Sequence, residues 1–433
     1  MKIIDQQTVK DLEFEELREM LQSYCVSESA KGRMLKLAPI PRFDDLNIEL
    51  QRLKEHHRIK TEGHAFPRID FEELESEIKL LGINGSILSE TGFQNIVLAS
   101  SLVNEIVSFF KKEQKTFIHL FALTDRVYFT RELIDPIEKV FTQKGDVKDD
   151  ASKALSTIRK EIVITRRNIS RLFNKELKRF IDKGFLGDVK EAYIQDRRVL
   201  AVQSTFKRQV EGAVQGHSKT GNFTYIEPQA VVSFNHELEM LFDDERREIR
   251  KILSELTDAI RDSLPLIKSY QWLLTQLDFI QAKTRLALDL NCSMPAFNKE
   301  TQVELIEAYH PLLWLKNKRE GKKTFPQSLK LNHNSRMLVI SGPNAGGKSI
   351  TLKTVGLLQL MFQSGLMIPA HANSKMCFFQ HILTDIGDNQ SIENQLSTYS
   401  YRLKRMKYFL ETANKKSLLL LDEFGTGSDP DLG

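Results

Sequence analysis

VISGPNAGGKSI, residues 339–350, is the stretch from which the rest of this 433-residue chain is read. Gly342, Gly347, Lys348 and Ser349 fit the spacing G-x-x-x-x-G-K-[ST]. Glycines in that pattern let backbone N–H groups surround phosphate oxygens at a helix N-terminus, where open donors and the helix dipole favour negative charge. The flanks agree: MLVI (337–340) predicts a strand and SITLKTVGLLQLM (349–361) a helix. Lys348 is then placed to reach the β- and γ-phosphates of a nucleotide, and the Ser349 hydroxyl to ligate Mg²⁺.

Downstream, SLLLLD (417–422) reads as a second buried strand that ends on Asp422 and Glu423. Asp422 is placed to hold Mg²⁺ through water, and Glu423 to orient or deprotonate an attacking water. Alone, the two acids are equally well explained as a solvated strand end. Paired with the glycine loop, they complete a catalytic set of Lys348, Asp422 and Glu423, with ATP and Mg²⁺ as cofactors. Short apolar runs alternate with helical stretches after Asn291, which predicts a mostly parallel α/β sheet and a domain over 291–433.

Upstream the pattern is helical. Leu17, Leu21 and Cys25 recur at helical spacing, Ser27 or Ser29 can cap the next helix, and residues 1–148 read as a helical core domain. From Asp149 to Lys183 one long helix is predicted, with Leu155, Ile158, Ile162, Ile169, Leu172 and Phe180 on one stripe. Its other faces carry Lys153, Arg159, Lys160, Arg166, Arg167, Arg171, Lys175, Lys178, Arg179 and Lys183 against Glu161, Glu176 and Asp182. A second long helix begins near Asn235 and is interrupted at Pro265. Between them the period changes to two: AYIQDRRVLAV (192–202) and FTYI (223–226) predict strands, and HSKTGN (217–222) a turn. Residues 149–290 therefore read as a helical hairpin with a small β tip at about 186–232.

Composition sets limits on partners. Charged residues make up 28% of the chain but the net charge is only +4, so a basic surface has to be local. Cys25, Cys292 and Cys377 are far apart, without metal-ligand spacing, and read as buried free thiols of a reducing compartment. MKIIDQQTVKD lacks a signal core and no eighteen apolar residues run together, so the expectation is a cytoplasmic protein with no membrane partner.

GPNAGGKS (342–349), DIGDNQSIENQLSTYS (385–400) and LLLLDEFGTGSDPDLG (418–433) together resemble the ATPase of the MutS family, most closely its paralogue branch without mismatch-recognition domains. The resemblance extends through AYHPLL (308–313) and AVQGHSKTGNFTYIEPQAVVSFNHEL (213–238) and covers essentially the whole chain. It implies an α+β multidomain fold: a helical core and lever domain, a β clamp at the hairpin tip, then a P-loop (ABC-type) α/β ATPase domain. It also implies a homodimer in the bacterial cytosol or nucleoid, each nucleotide lying between one subunit's loop and the other's signature loop.

Residue by residue, Gly342, Pro343, Asn344, Ala345, Gly346, Gly347, Lys348, Ser349 and Ile350 match the nucleotide-binding loop, with Asn344 toward phosphate or the attacking water. Ser397 and Thr398 match the trans signature loop, although a plain helix cap also explains them. Phe325 matches the position that stacks on adenine, or is a core phenylalanine. The arm matches lever helices and a clamp that close around nucleic acid, and Arg197, Arg198, Lys207, Arg208 and Lys219 are the contacts expected at its tip. Phe14–Glu16 and Phe71–Glu73 have a Phe-x-Glu spacing but lie in helical stretches, so mismatch recognition is not expected.

Full-length members of the branch carry a C-terminal Smr nuclease domain and are associated with recombination control or ribosome rescue. The partner is thus double-stranded or branched DNA, or a ribosome. Tyr401 and Arg402 depart from the small residue and histidine common in the family. The sequence stops at Gly433, before the helix, switch-histidine strand and dimerising surface expected next, so a C-terminally truncated ATPase domain is expected, with weak ATP binding, poor hydrolysis and a tendency to aggregate. The competing readings are a non-catalytic remnant that binds nucleic acid through its arm, and a kinase or transporter-like P-loop ATPase. A transporter subunit needs an LSGGQ-like signature, which NQLSTYS is not.

Overall fold

Helix starts are written locally in this sequence. Asp5, Ser27 and Ser152 each accept a hydrogen bond from a backbone N–H three residues on, at 2.8, 3.2 and 3.0 Å, which satisfies a donor that a helix start leaves open. The computed structural model describes residues 3–298, 300, 302–342, 347–386 and 395–422. Helices α1 (Gln6–Asp11), α2 (Phe14–Ser23), α3 (Glu28–Leu35), α4 (Phe43–Thr61), α5 (Glu75–Leu81), α6 (Glu90–Lys112), α7 (Ile118–Phe121) and α8 (Ile134–Val140) precede the long α9 (Lys153–Asp182). The chain forms two compact units, one of Met1–Glu73, Leu98–Thr130 and Leu266–Gly433, the other of Leu74–Val97 and Arg131–Pro265. Helix α6 is long and apolar enough to cross a membrane by length and composition. Its Phe93, Ile96, Val103, Ile106 and Phe110 are buried at helical spacing, which is how a core helix looks.

In the second unit α9 leads into β1 (Leu186–Ile194), β2 (Arg197–Gln203), β3 (Gly212–His217) and β4 (Phe223–Pro228), and α10 (Gln229–Arg261) returns. The run 192–202, predicted as one strand, is two: the chain reverses at Gln195 and Asp196, whose φ values of 49° and 63° are left-handed. No glycine marks this turn, so the sequence pattern did not show it. The antiparallel sheet runs β1-β2-β4-β3, with Leu200 opposite Ile226. Leu186, Leu200, Val202 and Ile226 pack with Ile169, Phe173 and Phe180 of α9 and Val231 of α10. Helices α9 and α10 lie antiparallel, joined by Ser152 to Glu248 and Arg159 to Glu245, each at 2.7 Å.

Helix α11 (Leu264–Asp289) follows after a short break. Pro265 stands in its first turn, where a missing N–H costs no helical bond. The first unit then adds β5 (Ala296–Asn298), β6 (Val303–Ala308), α12 (Pro311–Arg319), β7 (Gln327–Leu331), α13 (Lys348–Gln363), β8 (Lys375–Cys377), β9 (His381–Asp385), α14 (Gln395–Thr412) and β10 (Ser417–Leu421). Its sheets are mixed: β5 with β8 and β9 with β10 are parallel, whereas β6 is antiparallel to β7 and β8. Leu357, Leu358, Leu360, Met361 and Phe362 of α13 enter one core with Leu12, Phe14, Leu17, Leu46, Leu50, Ile382, Leu418 and Leu420.

One expected strand is absent. MLVI (337–340) has no described ladder partner, and Met337 and Val339 are 81% and 80% exposed. A strand is held by its neighbour's backbone, and β10 pairs only with β9 among the described residues.

Candidate functional site

Gly342 and Gly347 bracket the phosphate-loop motif with φ values of 154° and 84°, conformations that favour glycine. Gly347 is the N-cap of α13, so Lys348, Ser349 and Ile350 form its first turn. Lys348 Nζ donates to the Gly342 carbonyl oxygen at 2.7 Å, which folds the lysine back over the loop. Ser349 and Ile350 are exposed at the same helix start. Pro343, Asn344, Ala345 and Gly346 lie outside the described residues, as does Glu423.

Asp422 follows β10 directly, and its N–H donates to the Asp385 carbonyl oxygen at 2.9 Å, carrying the β9–β10 pairing one step further. Lys348 and Asp422 line the same cavity of about 1590 Å³, together with Leu352, Val355 and residues 337–340. Two sequence-predicted groups, 74 positions apart, are therefore brought to one space. Phe325 sits between α12 and β7, is 72% exposed, and has Lys323 Nζ 5.2 Å from its ring centre. An exposed ring is not a core phenylalanine, but Phe325 does not line that cavity. Ser397 and Thr398 fall in the first turn of α14, with side chains outside the described part.

A polar cluster around Arg405 gave no signal in the sequence. Arg405 of α14 is buried, pairs with both carboxylate oxygens of Asp5, and donates to the Thr384 carbonyl oxygen at 3.1 and 2.9 Å. Thr384 Oγ1 in turn donates to Asp11 at 2.7 Å. Burial pushes the Asp5 carboxyl up, but Arg405 and the Thr8 N–H outweigh it and hold the group below its usual value. Burial raises the neighbouring Asp385 carboxyl, against the pull of the Arg402 charge. No local spacing signals this cluster, because Asp5 and Arg405 are 400 positions apart.

On the arm, the tip arginines are already engaged. Arg197 bridges Glu227, which is fully buried, and Glu239. Arg198 pairs with Glu191 at 2.6 Å and lies 4.3 Å from the centre of the Phe173 ring. Lys207, Arg208 and Lys219 are exposed without an ion pair among the described residues. The same holds along α9 for Lys160, Arg167, Arg171, Lys175 and Lys178, whose spacing of three, four or seven sets them on one helix face. That row extends about 27 Å at 1.5 Å per residue.

A glycine-turned helix start, its lysine and a strand-end carboxylate thus meet on one cavity. The family model of MutS domain V matches residues 338–432. The endonuclease MutS2 of Lactobacillus helveticus is 34% identical over 429 residues, 98% of this chain and 54% of that protein. The endonuclease MutS2 of Clostridium perfringens strain SM101 is 33% identical over 432 residues, and that of Finegoldia magna 32% over 433, each covering 99% of this chain and 54% of the relative. The chain belongs to the MutS family and is of the MutS2 type. It spans about half the length of the curated relatives it matches.

Proposed function

We propose that the chain is an ATP-binding, ATP-hydrolysing module of a nucleic-acid-associated protein, in which nucleotide state is coupled to clamping of DNA by a dimer. The observation that carries this reading is the convergence of Lys348, at the start of α13, and Asp422, at the end of β10, on one cavity. Ser349 and Asp422 are the residues that would hold Mg²⁺, which on binding neutralises charge on the phosphates. Lys348 binds the β- and γ-phosphates once it leaves the Gly342 carbonyl, and the backbone of Gly347 to Ile350 adds N–H donors to the same phosphates. Glu423 is the proposed base, and Ser397 and Thr398 face the partner's nucleotide. The domains proposed are the helical core over 1–148, the levers and clamp over 149–290, and the ATPase region over 291–433.

For the nucleic-acid partner, support comes from the row on α9 more than from the tip arginines. Five cations without an ion pair among the described residues, on one face of a helix, present a charged edge to phosphates, with no base to read. Double-stranded DNA suits a row of this length, since a stiff duplex holds its charges in line without ordering cost. The chain is proposed to act in the cytoplasm. Titration with Mg-ATP tests the nucleotide reading: the chain binds it, Lys348→Ala lowers affinity at least tenfold, and Asp422→Asn abolishes the advantage of adding Mg²⁺. Equal affinity in all three proteins would refute the assignment.

A further inference from the structure

The first described residues of the chain reach α13, β9, α14 and β10. Ile3 is buried and its carbonyl oxygen accepts from Ile382 N–H of β9 at 2.9 Å. Asp5 holds Arg405 of α14, and Asp11 accepts from Thr384 of β9. At the other end, Glu13 accepts from Lys353 of α13 at 2.6 Å, five residues after Lys348. Leu12 packs where α13 carries Gly356: a Cβ there would stand 2.5 Å from Leu12 and 2.7 Å from Leu420 of β10. Glu13 takes a left-handed φ of 55°, unusual for a residue with a side chain, in the linker between α1 and α2.

We infer that residues 3–13 form a brace that sets the P-loop helix α13 against the strand pair β9–β10, and so fixes Ser349 relative to Asp422. At Gly356 helix α13 meets β10 through the apolar Leu420, a contact without direction, whereas the brace ties α13 by a charge pair and β9 by directed hydrogen bonds. Its apolar contact, Leu12, fills the notch left by a glycine, so register along the helix is set as well as distance. The Asp5–Arg405 pair adds a third anchor, on the helix that follows β9, and Arg405 reaches the Thr384 carbonyl beside the residue that pairs with Asp422. Asp5 and Glu13 are positioning residues: neither lines the cavity with Lys348 and Asp422.

The part of this inference that concerns nucleotide rests on the reading proposed above, so the test has two arms. In the first, hydrogen exchange is followed without nucleotide in the unaltered chain, Asp5→Asn and Glu13→Gln, with thermal melting to confirm that each is folded. The brace predicts exchange at least fivefold faster in β9 for Asp5→Asn and in the first two turns of α13 for Glu13→Gln. Unchanged exchange in both variants overturns the brace, whatever the chain binds. In the second arm Mg-ATP and ATP with EDTA are titrated separately. Each variant should lose at least tenfold in affinity for Mg-ATP while staying within twofold for ATP alone, and Asp5→Glu should recover most of the loss. Equal losses with and without Mg²⁺ would show a merely structural role and overturn the positioning claim. An unaltered chain that binds neither form refutes the nucleotide reading, and the exchange arm then decides the brace by itself.

Discussion

Lys283 shows how a single buried charge tunes this molecule. Its Nζ lies 3.3 Å from the carbonyl oxygen of Ser364, the C-cap of α13, and 4.4 Å from the centre of the Phe279 ring. Burial pulls its ammonium down from 10.5 to about 8, with the Glu49 charge opposing. Below pH 8 both folded and unfolded chains carry the proton, and folding bears the full cost of burying it. Between pH 8 and 10.5 the folded lysine gives up its proton first, so stability rises with pH, by a linkage on the order of 3 kcal/mol. Chemical denaturation across that window should show the rise in the unaltered chain and a flatter profile in Lys283→Met. Parallel profiles would mean that another group titrates. At this scale the sequence was informative where chemistry is local: Gly342, Gly347, Lys348 and Ser349 are read within eight positions. It was silent on Asp5, Asp11 and Arg405, whose meaning depends on contacts across nearly the whole chain.

At the scale of elements, long helices were legible and turns and edges were not. The stripe over 149–183 anticipates α9 to within a few residues because its apolar period repeats over eight turns, and Ser152 caps it. Gln195–Asp196 carries no glycine, and MLVI is as apolar as a strand but has no described neighbour to hold it. The tip arginines are a related case, since spacing cannot reveal that Arg197 neutralises Glu227 inside the sheet. Arg197→Ala should cost about 2 kcal/mol in denaturant unfolding, because a buried carboxylate loses a charged partner. Its effect on duplex binding should be small. In contrast, Arg167→Ala, Arg171→Ala and Lys175→Ala together should leave stability nearly unchanged. The five-cation row predicts a slope of log affinity against log salt near −4.5 for duplex DNA, and the triple variant should lower its magnitude by about 2.7. The opposite pattern, a salt slope sensitive to Arg197 and indifferent to the row, would return the contact surface to the tip.

For the whole molecule, a net charge of only +4 hides a row of cations on one helix, and the apolar core of one unit hides a polar brace made from its first residues. Family membership makes an ATPase associated with nucleic acid the natural proposal, but the working claim is stronger: the nucleotide bound at Lys348 alters how the same chain holds DNA. Anisotropy of a labelled duplex tests it most directly, with the chain titrated at fixed salt in the absence and presence of Mg-ATP. The proposed coupling predicts a change in duplex affinity of at least threefold on adding Mg-ATP, and no change in Lys348→Ala. Duplex affinity in the unaltered chain that is the same with and without saturating Mg-ATP would contradict it.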